Sequence, residues 1–395
     1  MKIIIHDYCG HPFPFDLSRE LAKRGHRVWH VYTSASGGPK AGLVSDNENL
    51  TVVNIEHDPV QKMNFVKRWF QEHEYGVKIS AEITKLKPDV VLSSNTPLEA
   101  QRLLLKTCNK LKIPMIHWLQ DIISVAARRL LKKRMGFLGR AIGWHFDKLE
   151  RNILQTCSHI ISIAPEFRRQ LDAWNISEDK VTVIPNWAPI RDIPVMPKKN
   201  DWSKDLKIDN KFVVLYSGTL GMKHNPDVIV DAAVSLKSSK DICFVVVSEG
   251  QGMDYLKQEK GNKELSNLLL LPLQPFDKFP QVLAAADLLL VLLEEDAGIF
   301  SVPSKVWSGY CAQRPSLLVV PPENLSAKIT RRIKAGKVIA LEEKQQLPDI
   351  ILDLKNVPDA RSVWGENARR YAEKHFQIAT IADKFENILK SEANI

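Results

Sequence analysis

The sequence predicts two α/β domains in tandem, each a doubly wound, largely parallel sheet covered by helices. Three observations carry that expectation. Short continuous apolar runs, such as Leu288 to Leu293, recur between stretches of helical periodicity, as strands buried on both faces do. The alternation stops at PNWAPIRDIPVMPKKND, with four prolines and no periodicity, and restarts from Phe212. At 395 residues the chain is also too long for one hydrophobic core.

Lys2 to His6 is the first expected strand, followed by a helix from about Phe15 that Gly25 ends and a strand from Arg27 to Tyr32. Further strands are expected at Thr51 to Ile55, Asp89 to Leu92, Pro114 to Leu119, His159 to Ile163 and Val181 to Ile184. Helices near Val60 to Leu86, Leu98 to Leu111 and Ile122 to Gln155 separate them. The proline-rich segment reads as an interdomain linker. After it, strands are expected at Phe212 to Tyr216, Cys243 to Val247, Leu268 to Leu271, Leu288 to Leu293, Leu317 to Val320 and Val338 to Leu341. The final segment, Trp364 to Lys390, is expected to be helical, and Ile378, Ile381, Ala382, Phe385, Ile388 and Leu389 line one apolar face.

Composition narrows the function. Hydrophobic residues make up 44% and charged ones 26%, as in a soluble globular protein, and no run approaches the roughly 18 to 20 apolar residues that cross a bilayer. The start, MKIIIHDYCG, reads as a strand and not a signal peptide, so a cytoplasmic protein is expected. The five cysteines are scattered singly, so neither a disulfide framework nor a metal site is expected. The net charge of +9 is concentrated: between Arg128 and Arg151 eight Lys or Arg face only Asp147 and Glu150. Phe137 and Leu138 lie between glycines in the same stretch. Basic side chains beside exposed apolar ones suit a membrane surface, at roughly 1 kcal/mol per basic residue near anionic lipid. The competing reading is a solvated helix face whose apolar residues pack inward. No aromatic ladder or RNA-binding motif claims the charge, so nucleic acid is not expected as a partner.

Candidate chemistry clusters at the ends of the second-half strands. The run from Leu288 ends in Glu294, Glu295 and Asp296, acidic groups at a strand's carboxyl end, which is where open α/β sheets bind ligands. Gly298, Val302, Pro303 and Ser304 follow, then a helix from Lys305 to near Gln313. Ser304 is the expected N-cap, so the first amides of this helix and the Lys305 charge suit a diphosphate. In LYSGTLGMKHNPD, Gly218 and Gly221 permit close backbone approach to a phosphate, with Lys223 and His224 before the next helix. A second glycine turn, SEGQGMDYL, carries Glu249 and Gly250. Neither loop is a Walker A or a GxGxxG motif.

Taken in order, GTLGMKHNPD, VVSEGQGMDYL, LLPLQPFDKFPQVLAAADLLLVLL, VPSKVWSGYCAQRP and GENARRYAEKHF closely resemble the second domain of bacterial family-four glycosyltransferases, in the branch that builds capsule, O-antigen or other exopolysaccharide. GHPFPFDLSRELAKRGHRV, IHWLQD and VIPNWAP resemble the first domain of the same branch. The resemblance implies the GT-B fold: two Rossmann-like domains whose sheets face a cleft, residues 1–190 with a returning C-terminal helix at about 377–395, and residues 200–376. It implies transfer of a sugar from a UDP- or GDP-linked donor, without other cofactor or metal and with retention, to a polyprenyl-diphosphate-linked glycan at the inner membrane face. Lys223, or His224 in the competing alignment, with Gly218, Thr219, Gly298, Val302, Pro303, Ser304, Lys305 and Ser308, would hold the donor sugar and diphosphate. Glu249, Gly250, Gln274 and Pro275 would lie beside the base. Gly10, His11, Asn95 and Asp121 would face the acceptor, with catalytic roles expected of Asp121, Glu294 and Glu295.

The chain departs from the family pattern in two places. Ser308 and Phe300 stand where many relatives carry a glutamate pair, and Thr219 stands where an arginine often follows the first loop glycine. Two rivals follow: a degenerate transferase acting as a scaffold, and a nucleotide-sugar 2-epimerase that needs no acceptor.

Overall fold

The computed structural model describes residues 1–35, 43–45, 47–58, 65–221, 224–294 and 301–395; within these, the side chains of residues 65, 66, 126, 129, 130, 132–135 and 138 are not described. The chain divides into two compact units, Met1–Pro185 with Ile378–Ile395, and Asn186–Gln377.

In the first unit β1 (Lys2–Asp7) leads into α1 (Pro12–Lys23), then β2 (Arg27–Tyr32) and β3 (Leu50–Asn54). Next come α2 (Phe65–Leu86), β4 (Val90–Ser94), α3 (Leu98–Leu111), β5 (Met115–Leu119) and α4 (Ile123–Thr156). β6 (His159–Ser162), α5 (Arg168–Ala173) and β7 (Val181–Val183) complete the run. The seven strands are parallel in the order β3-β2-β1-β4-β5-β6-β7. Sequence order reverses between β1 and β4, and the carboxyl ends of those two strands flank the crevice where such sheets take ligands. β1 and β4 are almost wholly buried, which is why they read as apolar runs.

This core is unusually polar beneath the sheet's carboxyl edge. His6 hydrogen-bonds Ser93 Oγ through Nδ1 (2.9 Å) and Tyr75 through Nε2 (2.7 Å), and Ser93 Oγ donates to Gln101 (2.8 Å). Gln101 Nε2 donates in turn to His117 Nδ1 (3.0 Å). A buried polar chain is tolerable only when its members are partnered, as these are.

α4 is not the unbroken helix that the sequence suggests. It bends at Gly136 (φ 54°, ψ −120°) and doubles back. The amides of Ile123 and Ser124 donate to the Glu150 carboxylate at 2.9 and 2.8 Å, and a Cβ on Gly143 would lie 2.9 Å from Arg128 Cα. Only glycine holds that positive φ without strain and lets the two arms touch. Glu150 is wholly buried, and that burial pushes its carboxyl up to about 7 despite the amides.

The C-terminal segment is likewise split. α13 (Pro358–His375) belongs to the second unit and α14 (Ile378–Ala393) to the first, where it packs on α1. Ile378, Ile381, Ala382, Phe385 and Leu389 form its buried face. Charges fasten its rim: Arg24 Nη1 meets Glu386 (2.7 Å) and Asp383 (2.8 Å), and His26 Nε2 meets Glu386 (3.0 Å). Glu386→Ala is expected to cost about 1 to 2 kcal/mol, because it removes the carboxylate that Arg24 and His26 share, although Arg24 keeps Asp383 and Glu20. Denaturant unfolding, with faster amide exchange confined to α14, checks this.

The second unit contains α6 (Asp201–Asp205), β8 (Phe212–Ser217), α7 (Asp227–Ser235), β9 (Ile242–Val247), α8 (Gln251–Asn262) and β10 (Leu268–Leu271). It continues with α9 (Phe279–Ala284), β11 (Leu288–Leu292), α10 (Lys305–Cys311), β12 (Ser316–Val319), α11 (Leu325–Ile333), β13 (Gly336–Ile339) and α12 (Leu347–Lys355). The six parallel strands run β10-β9-β8-β11-β12-β13, so order reverses between β8 and β11. The segment expected to be a linker packs instead as a strap on this unit. Trp187, Ala188 and Ile193 are buried, and the carbonyls of Met196 and Ile193 accept hydrogen bonds from Arg314 (2.6 Å) and Arg369 (3.3 Å). Proline and absent periodicity rule out helix and strand here, but not burial.

Candidate functional site

In the second unit the loops leaving β8 and β9 meet beside the reversal point. Gly218 adopts φ +116° and Gly250 φ +103°, conformations that glycine supplies at little cost. The loops are stitched together by the backbone: Gly218 N–H donates to Val247 O (3.0 Å), Leu220 N–H to Glu249 O (3.0 Å) and Gly252 N–H to Leu220 O (2.9 Å). A Cβ at Gly250 would lie 3.0 Å from the Leu220 carbonyl, so this glycine is required by close approach as well as by φ. Gly221 N–H donates to His224 Nδ1 (3.0 Å), which puts the neutral ring's proton on Nε2.

Those bonds alter the expected role of the glycine loop. The amides of Gly218, Leu220 and Gly221 are turned inward, so the group presented over the loop is a side chain, Lys305. Its Nζ donates to the Tyr216 hydroxyl and lies 3.9 Å from the centre of that ring. A Cβ on Gly218 would be 3.6 Å from Lys305 Cε and 3.9 Å from Nζ. Burial raises Tyr216 well above the ordinary phenol range, so it stays protonated and donates to the Thr219 carbonyl (3.1 Å). On the neighbouring loop, after β9, the Glu249 side chain has a buried oxygen, Oε1, with no hydrogen-bond partner among the described residues. A fixed cation over one loop and an unmatched acceptor on the next suit a ligand carrying both anionic oxygens and hydroxyl or amine donors.

Several expected residues stand elsewhere. Ser304 is exposed and its side chain makes no capping bond; the amides of Val306 and Trp307 are taken by Pro303 O (3.3 Å) and Ser304 O (3.0 Å), so the start of α10 offers less than expected. Gln274 is a tether: Nε2 donates to Pro272 O (2.9 Å) and Oε1 accepts from Trp202 Nε1 (3.3 Å), because the buried indole needs an acceptor. Pro275 is exposed, Val302 and Ser308 are half-buried and Pro303 is buried. Glu294 is half-buried just beyond β11. Lys223, Glu295 and Gly298, like Phe300, lie outside the described residues.

The first unit gathers a second cluster at its own reversal point. Asp7, at the end of β1, is wholly buried. It accepts hydrogen bonds from the His11 amide, from Asn95 Nδ2 (2.8 Å) and from Ser94 Oγ (3.4 Å), and His11 Nδ1 lies 3.2 and 3.3 Å from its two oxygens. Gly10 (φ +71°) makes the turn, where a Cβ would strike the Tyr32 ring at 2.9 Å. Asn95 holds φ 52°, which Asn tolerates better than most residues. Burial alone would raise the Asp7 carboxyl; the charge and hydrogen bonds of His11, with Asn95, outweigh it and hold Asp7 at about 2. Asp121 follows β5, the next strand but one from β1, and is half-buried. Asp7 was not among the sequence candidates. Its signal was available: an acid ending a strand, four residues before a histidine that opens a helix.

Among the described residues no group of three or more His, Cys, Asp or Glu could hold a metal ion, and no helix is long and apolar enough to cross a membrane. All five cysteines are free thiols.

Comparison with known proteins agrees with this architecture. Residues 14–190, less than half of the chain, match the family described as Glycosyltransferase Family 4. Over 182 residues the chain is 28% identical to WcaI of Escherichia coli (strain K12), named as a proposed colanic acid biosynthesis glycosyl transferase; the match spans 44% of this chain and 44% of that protein. Sucrose-phosphate synthase from Thermosynechococcus elongatus has a similar structure, with a TM-score of 0.76 at 12% identity over 98% of both chains. Anabaena Alr3699/HepE in complex with UDP-glucose gives 0.70 at 15% identity, over 99% of this chain and 100% of that one. WaaG, a glycosyltransferase involved in lipopolysaccharide biosynthesis, gives 0.70 at 18% identity, over 98% and 99%. At such identities the likeness establishes the fold, two Rossmann-like domains of the GT-B class.

Proposed function

We propose that the protein is a family-four glycosyltransferase that moves a sugar from a nucleotide-sugar donor to a lipid-linked glycan acceptor in cell-surface polysaccharide synthesis. The observation that carries this reading is Lys305 laid over the Gly218 loop and against Tyr216, at the point where ligands enter such a sheet. A nucleoside diphosphate leaving group develops negative charge as the anomeric bond breaks, and a preorganised cation stabilises that charge more in the transition state than in the ground state. The reading expects retention at the anomeric carbon and no requirement for a metal. The unpartnered Glu249 oxygen on the loop after β9 suits the hydroxyl or amine donors of the nucleoside. Support comes from the family match over the first half and from structural neighbours solved with UDP and UDP-glucose. Isothermal titration with UDP and GDP tests it: micromolar affinity for one nucleotide is the expected result, and no binding of either at millimolar concentration would overturn it.

The lipid side of the proposal rests on the α4 hairpin. Its first arm, Ile123 to the Gly136 bend, is about 20 Å long at ~1.5 Å per residue. Phe137 at the bend is 80% exposed and Trp144 63%. Arg128, Arg140 and Lys148 are exposed along the same arms, with Lys148 Nζ 5.4 Å from the Trp144 ring centre. Aromatic side chains that fail to pack inward, among cations, favour the interfacial reading over the solvated face. Replacing Phe137 and Trp144 together by Ser is expected to lower co-sedimentation with vesicles of anionic phospholipid at least tenfold while leaving nucleotide affinity unchanged. Equal sedimentation of the two proteins would sink the membrane assignment.

A further inference from the structure

We propose that Asn324 is a positioning residue for the donor site: its side-chain amide holds residues 301–305 so that the Lys305 ammonium stands over the Gly218 loop. What the lysine meets there rests on the glycosyl-transfer reading above. Asn324 follows β12 and opens α11, at the same edge of the sheet as the segment that leads into α10. It is 1% exposed, and its amide is engaged at both ends. Oδ1 accepts from the Ser326 amide (3.0 Å) and the Ser326 hydroxyl (2.7 Å), which caps α11. Nδ2 donates to the Ser301 carbonyl at 2.9 Å, across 23 residues. These opposed roles fix which end of the amide is oxygen and which is nitrogen. Capping by itself asks only for an acceptor, which serine, threonine or aspartate also supplies. The donor end serves the loop.

The path from Ser301 to Lys305 is short and stiff. Ser301 and Pro303 are buried, and the proline disfavours a helical turn at Val302. The amides of Val306 and Trp307 bond back to Pro303 O (3.3 Å) and Ser304 O (3.0 Å), which joins the segment to the first turn of α10. That helix has only seven residues, and Lys305 is the first, so the lysine follows whatever holds the segment before it.

α11 braces α10 a second time. The hydroxyls of Tyr310 and Thr330 lie 2.7 Å apart, and Thr330 Oγ1 donates to the Ser326 carbonyl (2.7 Å). Asn324, Ser326 and Thr330 are all buried, so they form a polar seam where apolar side chains would pack without needing partners. Hydrogen bonds have direction, and a satisfied buried network therefore specifies one arrangement of its neighbours. Direction matters here because Lys305 Nζ must meet both the hydroxyl and the ring of Tyr216, a fit that a shift of roughly 1 Å would spoil.

The test is titration calorimetry of the full chain with UDP and GDP, using whichever binds the wild type. Asn324→Asp and Asn324→Ser are measured alone and combined with Lys305→Ala. Both substitutions keep an acceptor for α11 and remove the donor to Ser301; the neutral serine carries the test if a buried aspartate prevents folding. Urea midpoints establish that each variant is folded. Each substitution is expected to weaken binding about three- to tenfold when Lys305 is present and by no more than about twofold when it is alanine, since a residue acting through the lysine then has nothing to place. A merely structural role would lower affinity by the same factor in both backgrounds. That result, or single variants within about twofold of wild type, would overturn the proposal. Wild-type protein that binds neither nucleotide would overturn the glycosyl-transfer reading, and this inference with it.

Discussion

Lys305→Ala is expected to weaken binding of the cognate nucleoside diphosphate by one to two orders of magnitude. A charge-assisted hydrogen bond contributes about 1.5 to 3 kcal/mol, and each ~1.4 kcal/mol is tenfold in Kd. The site amplifies the effect in two ways. The Tyr216 hydroxyl and ring hold Nζ in place before any ligand arrives, so less side-chain entropy is lost on binding. The glycine loop offers little substitute, since three of its amides already donate within the protein. Lys305→Arg is expected to recover only part of the loss, because the larger, forked guanidinium must fit where the Tyr216 hydroxyl and ring hold a compact ammonium. Titration calorimetry of the three proteins decides the matter, and a Kd for Lys305→Ala within twofold of wild type would remove Lys305 from the donor site.

Acid is expected to destabilise the first unit steeply between pH 6.5 and 4. His6, His30 and His117 are each lowered from 6.5 to about 4, mainly by burial, so the unfolded chain binds more protons than the folded one throughout that window. Stability therefore rises with pH there, by up to about 1.4 kcal/mol per unit for each histidine, and the loss is complete below pH 4. Glu150 acts in the opposite sense: raised to about 7, it binds its proton in the folded state first, and offsets one histidine between pH 7 and 4.5. The net expectation is about two protons, or roughly 3 kcal/mol per pH unit, against a total stability of the order of 5 to 15 kcal/mol. Asp7 and Glu386, both held at about 2, extend the loss to lower pH. Urea midpoints at half-unit intervals from pH 7.5 to 4.5 measure the slope, and His117→Gln is expected to reduce it by about one proton. A flat profile across the window would show that these rings are not neutral and buried in solution.

The contrast between what was legible in the chain and what was not follows the range of the forces involved. Strand positions were readable from short runs rich in apolar and β-branched residues between helical stretches: Leu268–Leu271 and Arg27–Tyr32 fall where expected, and the other strands differ only at their ends. The glycine turns after β8 and β9 were readable for a similarly local reason, a backbone conformation that few other residues adopt. The bend in α4 was half visible, as glycines in a long helical pattern, but doubling back depends on Glu150 capping amides twenty-six and twenty-seven residues earlier. Helical periodicity ran across Phe376 and Gln377 without showing that α13 and α14 join different units.

By itself, then, the sequence determined two doubly wound domains, the loops that bear glycine and the strand ends at which chemistry would gather. Only the tertiary structure decided which side chains meet there. Lys305 reaches Tyr216 across 89 residues, and Asn95 reaches Asp7 across 88. It also paired Gln274 with Trp202 across 72 residues, and it raised Asp7, unmarked in the sequence, to the centre of the first unit's edge. The physical reason is one of range. Propensity, periodicity and turn chemistry act over a few residues and are written in composition, whereas partnering of a buried charge is settled by whichever donors the packed sheet brings within about 3 Å.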